Sequence, residues 1–483
     1  MKNFKTLQAL AAAALAAVGV ARFAVVLALA VVFFGPGQFP ASAWNGPKNH
    51  PNSDNLIFDT TVAYLVEFYP LWFTYNQSAT FNRLIGPDKV TSLYQAVVAV
   101  NVDTLYCSAT LNLTNEPVVL TIPPTTNTYS ILALTPYGDV YPSGIPAQTP
   151  GTYAIVGPNY NAAVPGITTI TNPDNYSSLL FRVDKYSASG VNQSNSAEAF
   201  RAALKLVELS LYTNNPSTGA AKIAPEIVFA VPYKRIADNL IADDPIAFLK
   251  SLQTSVAASN TPPLAPGPKA LSDLFDALFG DGNFGHHDKK KRAQFAAGAQ
   301  AAHELILENY LTHTGSNNWI HFTNIGAWST NADGALDRSG ISEFLQYGND
   351  IGAAAYYHAF VDDKGRELNG NNPHGYVLAF GPGEQPQASR FWSVTAYTPA
   401  DIELVPNPEE KYAVASYTPN LQTNSGSISI YMTRNLSQLP AGVSNANWLS
   451  IPPGPFNIML RVYGPEGSVT NNTFIAPAIY RRH

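Results

Sequence analysis

At 483 residues the chain is too long for a single hydrophobic core, and at ~150 residues per domain it divides into about three units. It is 46% hydrophobic and only 13% charged, and its net charge of −6 is spread along its length. That excludes a nucleic-acid partner, whose phosphates need clustered Lys and Arg; the cluster Lys289–Arg292 is short and reads as a solvated helix start.

Residues 1–43 open with Lys2 and Lys5, run through the apolar blocks Leu7–Ala21 and Phe23–Phe34, and close on Ala41-Ser42-Ala43. A basic start, an apolar run and an A-x-A ending form a secretory leader, with the mature chain starting near Trp44. Retained as an anchor, Phe23–Phe34 would span about 18 Å of helix against about 30 Å of hydrocarbon. The expectation is a secreted or extracytoplasmic protein with no stable membrane span after cleavage. The sequons at Asn76, Asn112, Asn175, Asn192, Asn435 and Asn471 add little, because a chain rich in Asn, Ser and Thr supplies them by chance. Cys107 is alone, so no intrachain disulfide exists and its place among apolar residues predicts an inert buried thiol.

Residues 44–194 read as an N-terminal β domain with a leading helix. Asn55–Leu84 carries Phe58, Ala63, Val66 and Phe68 at helical spacing, interrupted by Pro70. In Asn101–Leu113, alternation puts Leu105, Cys107, Ala109 and Leu111 on one face, headed by Asn101 and Asp103. Val118–Ile122, Tyr129–Thr135, Tyr153–Val156 and Leu179–Val183 follow as short strands bounded by Pro, Gly and Asn, the spacing of a sandwich or jelly roll. Residues 195–358 read as a helical insertion. It starts on the stripe Phe200, Ala203, Leu204, Val207, Leu211 behind a capping pair Asn195/Glu198, and continues in helices from Asp244-Pro245, over Ser272–Phe279 and Lys290–His313, and near Ile341–His358.

Residues 359–483 read as a C-terminal β domain that repeats the first. Phe391–Pro406, FWSVTAYTPADIELVP, echoes Tyr129–Pro142, YSILALTPYGDVYP, ~260 residues earlier. Ser393 falls on Ser130, Ala396 on Ala133 and Thr398-Pro399 on Thr135-Pro136; Tyr412-Ala413-Val414 is set against Tyr153-Ala154-Ile155, and Leu460-Arg461-Val462 against Phe181-Arg182-Val183. The fold class expected is α+β, mainly β, with two similar β-sandwich or jelly-roll-like domains around a helical insertion.

Asn101-Val102-Asp103-Thr104-Leu105-Tyr106 with Glu116–Leu120 and Gly151-Thr152-Tyr153 resembles the family called domain of unknown function 1254. Phe391–Thr395, Val405–Pro408, Asn447-Trp448-Leu449 and Leu460-Arg461-Val462 resemble domain of unknown function 1214. The resemblance implies two sandwich-like domains and an exported or envelope setting, and no agreed reaction. The second family's Arg-Tyr-Ser-x-x-Asp-Arg-like run is replaced here by Lys411–Tyr417, without its acidic and basic pair.

No G-x-S-x-G elbow or phosphate loop occurs, and the sequence specifies no cofactor. His303-Glu304-Leu305-Ile306-Leu307 lacks the second His of a zincin, so His303 reads as a packed helix residue; His286-His287-Asp288 reads as a solvated loop. What remains is charge inside apolar strands, where a buried ion must be paired. The candidate catalytic residues are Asp103 as acid/base, with Tyr106 or Arg182 orienting a substrate. The corresponding function is a hydrolase or lyase acting on a small polar or carbohydrate-like substrate at a cleft near the N-terminal β domain. The alternative is a non-catalytic module whose Tyr and Trp form a floor for a carbohydrate or another small ligand.

Overall fold

A computed structural model describes residues 56–483, apart from 78–79, 88, 163, 215–223, 226–231, 259 and 329–333. The leader 1–43 and the start expected near Trp44 lie outside the described residues. The chain forms two compact units: a helical one from 56–77, 234–311 and 328–343, and a β-rich one from 78–233, 312–327 and 344–483.

The helical unit contains α1 (Leu56–Gln77), α2 (Tyr233–Asp243), α3 (Pro245–Val256), α4 (Pro266–Phe279), α5 (Lys289–Thr312) and α6 (Gly334–Phe344). α1 continues through Pro70. An internal proline costs about 3 kcal/mol, but Phe68, Tyr69, Trp72 and Phe73 around it are all buried. At roughly 150–250 Å² each, that burial outweighs the missing hydrogen bond. Tyr64 of α1 stacks on Phe275 of α4 at 3.8 Å, which binds the leading helix to this unit. α3 starts as expected, with Asp244 Oδ1 accepting from Ala247 N at 3.2 Å and Pro245 in the first turn. Among the described residues no helix is long and apolar enough to cross a membrane.

The first half of the β-rich unit has β1 (Ile85–Gly86), β2 (Thr104–Asn112), β3 (Val118–Ile122), β4 (Tyr129–Leu134), β5 (Val140–Tyr141), β6 (Gly151–Val156), β7 (Thr168–Thr171), β8 (Tyr176–Asp184), β9 (Lys205–Glu208) and β10 (Ala224–Pro225). They form two sheets, β10-β1-β2-β8-β4-β5 and β7-β6-β3-β9, and Cys107, Leu120, Ile155 and Phe181 are buried in the core they share. The second half has β11 (Ala354–Ala359), β12 (Tyr376–Phe380), β13 (Ala388–Tyr397), β14 (Ala413–Ala415), β15 (Ile428–Thr433), β16 (Trp448–Ser450), β17 (Asn457–Pro465) and β18 (Ile479–Arg481). Its sheets are β11-β17-β13-β14 and β16-β15-β12-β18, enclosing Trp392, Val394, Ile430 and Leu460. The fold is α+β, and among the described residues no sheet closes into a barrel.

The two sandwiches share one strand order. β2-β8-β4-β5 corresponds to β11-β17-β13-β14, and β7-β6-β3-β9 to β16-β15-β12-β18, with β6–β7 and β15–β16 the parallel pair in each. Register agrees as well: Arg182 lies opposite Tyr106 and Ser130, and Arg461 opposite Tyr356 and Ser393.

Three expectations change. The strand holding Tyr153–Ile155 corresponds to β15, because both pair antiparallel with the third strand of their sheet and parallel with the next; Tyr412–Val414 leads into β14, the counterpart of β5. A three-residue aromatic-apolar echo is too short to specify a partner. The stripe from Phe200 to Leu211 is broken: the helix Ser194–Ala203 ends and Lys205–Glu208 joins β3 as β9. It opens without a side-chain cap of its own. The helix expected near Ile341–His358 ends at Phe344, the chain turns at Tyr347 (φ 62°) and Gly348, and Ala354–Ala359 pairs with β17. Three consecutive alanines carry a helical propensity that the pairing overrides.

Candidate functional site

Each strand that carries a sequence-predicted charge sends its apolar neighbours into a sandwich core and the charge to the opposite face. Arg182 alternates with Phe181 and Val183, and Arg461 with Leu460 and Val462, all core residues. Each arginine therefore reaches a carbonyl of the other sandwich, Arg461 also meeting Tyr397 of its own. Arg182 donates to Asn349 Oδ1 at 3.1 Å and Tyr347 O at 2.7 Å. Arg461 donates to Tyr397 Oη at 2.7 Å and to Ala99 O.

Asp103 is fully buried. Its Oδ2 accepts from Ser393 Oγ at 2.8 Å, its Oδ1 accepts from the Tyr417 hydroxyl, and its backbone N–H donates to Asn101 Oδ1 at 2.9 Å. Burial, reinforced by the Asp103 charge, pushes the Tyr417 hydroxyl well above the usual phenol range. Tyr106 Oη accepts from Asn101 N at 3.1 Å, and Arg182 lies 5.7 Å from the centre of its ring. Burial raises the Tyr106 pKa too, although Arg182 opposes it. The three candidate residues thus gather at one junction: Tyr106 neighbours Arg182, while Asp103 takes its hydrogen bonds from the second sandwich.

An open cavity of about 340 Å³ lies between residues 91–93 and 406–408, with Glu410 and Tyr412 completing its wall. Leu93 is 74% exposed there, beside Pro406 and Pro408. Ser92 N donates to Tyr412 Oη at 3.3 Å, tying the two walls together. Next to Tyr412, Lys411 Nζ donates to Asn445 O and Ala446 O (2.5 and 2.8 Å), and burial pulls its pKa down to about 8. The wall reuses the Val405-Pro406-Asn407-Pro408 stretch, whose prolines hold an extended, rigid backbone.

The helical unit holds a third constellation, built from four helices. The Tyr69 hydroxyl of α1 donates to Glu343 Oε2 of α6. Lys234 of α2 donates to Glu343 Oε1 and, at 2.9 Å, to Asp238 Oδ2 one turn further on. His303 Nε2 of α5 is 3.3 Å from Asp238 Oδ1 and 3.8 Å from Glu343 Oε1. Glu343 is fully buried, whereas the Asp238 side chain is 31% exposed and opens the cluster on one side. Burial alone would raise Glu343, but the charges of Lys234 and His303 hold it well below the carboxylate range. Burial works against a charged His303 as well, yet Asp238 and Glu343 lift it to about 9. Asp238 is raised by burial and by the Glu343 charge.

Sequence reasoning singled out His303 and missed its partners. Lys234 and Asp238 stand at i,i+4 spacing, a readable signal, but nothing local connects them with Tyr69 or Glu343. Ser393 and Tyr417, the partners of Asp103, lie 290 and 314 residues away from it.

Residues 76–208 match the family described as protein of unknown function DUF1254, and residues 353–467 match protein of unknown function DUF1214. No protein with a curated description matches the chain. Among solved structures, the VPA0106 protein of Vibrio parahaemolyticus is 18% identical, with 88% of this chain and 100% of that one covered at a TM-score of 0.57. It shares the fold. An uncharacterised protein of Burkholderia cenocepacia is 14% identical over 94% of this chain and 93% of its own, at a TM-score of 0.41.

Proposed function

We infer, for a chain that belongs to the family joining DUF1254 to a following DUF1214, that its β-rich unit binds a small carbohydrate-like or similarly amphipathic ligand. The observation that carries this reading is the open cleft of about 340 Å³ between residues 91–93 and 406–412. Leu93, Pro406, Pro408 and Tyr412 offer it apolar surface, and Thr91, Ser92, Asn407 and Glu410 offer hydrogen-bonding groups. Such a mixture suits a ligand with apolar faces and hydroxyl edges, and the volume is at the small end of the about 300–1,000 Å³ of ligand pockets. The leader-like residues 1–43 support an exported setting for this binding.

The hydrolase or lyase reading needs Asp103 within reach of a substrate. Both of its oxygens are engaged and the residue is buried, which weighs for binding over catalysis. A glycan array followed by calorimetry tests the reading. Tyr412→Ala and Asn407→Ala are expected to weaken binding at least tenfold at a temperature where the thermal melt shows both variants folded, and Asp103→Asn to leave affinity intact. Glycan binding that ignores both cleft substitutions overturns it, and turnover abolished by Asp103→Asn restores the enzyme.

A further inference from the structure

The cluster in the helical unit has the donor set and spacing of a metal centre. We propose that Asp238, His303 and Glu343 bind a divalent transition-metal ion of the zinc type, with the Lys234 ammonium as the competing cation. This site stands independently of the cleft.

One imidazole nitrogen and two carboxylate oxygens are donors that zinc accepts, with bonds of about 2.0–2.2 Å. Around a tetrahedral ion such bonds place neighbouring donors roughly 3.3–3.5 Å apart. His303 Nε2 lies 3.3 Å from Asp238 Oδ1 and 3.8 Å from Glu343 Oε1, and the three donors all fall within 4.8 Å of one another. Side-chain rotation that draws the Asp238 and Glu343 oxygens together closes the set.

A second observation is independent of that spacing. Asp238 Oδ1 and His303 Nε2 are buried atoms that face each other without a hydrogen bond of sound geometry. Buried polar atoms are almost always satisfied, and a shared cation would satisfy both. The outer oxygens are already committed, which leaves Asp238 Oδ1 turned toward His303 and Glu343 Oε1 held by Lys234. Glu343 Oε2 takes the Tyr69 hydroxyl and Asp238 Oδ2 takes Lys234, the kind of outer contact that orients metal ligands. Lys234 bridges the same two carboxylates, which identifies the spot as one that selects positive charge. On metal binding Lys234 would keep Asp238 Oδ2 and release Glu343 Oε1. Three protein donors leave a coordination position for water or a ligand oxygen, and the partly exposed Asp238 provides the approach.

The test is titration of the chelator-treated full-length protein with Co²⁺, read by its visible absorption, and with Zn²⁺, read by calorimetry, in mildly alkaline buffer. One equivalent with the bands of a tetrahedral ion is expected. Asp238→Asn and His303→Gln are expected to weaken uptake by about a hundredfold, and Lys234→Met to tighten it about tenfold. His286→Ala/His287→Ala, in an exposed 3₁₀ turn, should change nothing. Asp238 is the least buried of the three, so its Asn variant keeps the test valid if His303→Gln fails to fold. No uptake by the native protein, uptake by Lys234→Met alone, or uptake unaffected by Asp238→Asn with the helical signal intact each overturns the proposal.

Discussion

Arg182 in the first sandwich and Arg461 in the second occupy matching positions, and each reaches the segment that leads into β11 or β2 of the other. Those segments agree in detail. Ala99 and Tyr347, whose carbonyls receive the arginines, are both left-handed (φ 51° and 62°), and Asn101 and Asn349 give their N–H to Tyr106 and Tyr356. A left-handed residue bearing a Cβ costs about 1–2 kcal/mol; charge-assisted hydrogen bonds to the turned carbonyls offset it. Contact of i with j and of j with i is the mark of a two-fold interface, here kept inside one chain. The copies differ where no symmetry is imposed. Counting from Asn349 or from Tyr356, the place of Asp103 falls to Ile351 or Ala353, and His358 stands where the first copy has Ser108. Shared groups join the sandwiches, and unshared ones give each its own electrostatics.

The largest effect expected from breaking this correspondence is at the arginines. Arg461→Leu should cost about 3–5 kcal/mol in urea unfolding of the β-rich unit, because Ala99 O and Tyr397 Oη lose a buried charged donor. Arg182→Leu should cost less, since this arginine is 5% exposed against 1% for Arg461. A greater loss at Arg182 would contradict the ranking.

Acid should separate the copies next. Burial is the main cause holding the His358 pKa at about 3, while its Nε2 pairs with Asn457 Oδ1 at 2.8 Å. Above the unfolded value of about 6.5 the ring is neutral in both states, so its contribution is fully present. As pH falls from there toward 3, only the unfolded chain gains the proton, and stability drops by about 1.4 kcal/mol per unit. Urea midpoints measured across that window should fall less steeply in His358→Gln, with no corresponding change in Ser108→Ala.

Asp103→Asn is the smallest of the three. It keeps the shape and one of the two oxygens that accept from Tyr417 and Ser393, replaces the other by an amide donor and removes the charge, for a cost of about 1–3 kcal/mol. Ser393→Ala in the Asp103→Asn background should then cost less than in the native chain, a coupling that a double-mutant cycle measures directly.

The sequence by itself determined β2, β3, β4, β6 and much of β8, the buried Cys107, the Asp244 cap and the equivalence of Arg182 with Arg461, because alternation, capping and repetition are local or self-referential signals. Tertiary structure alone decided that Asp103 answers to Ser393 and Tyr417, that Tyr153 corresponds to a strand beginning at Ile428, and that His303 meets Asp238 and Glu343. Each of these is a meeting of side chains from separate strands or helices. The pattern along one element fixes which face a residue occupies, while the element it faces is chosen by how distant apolar surfaces pack.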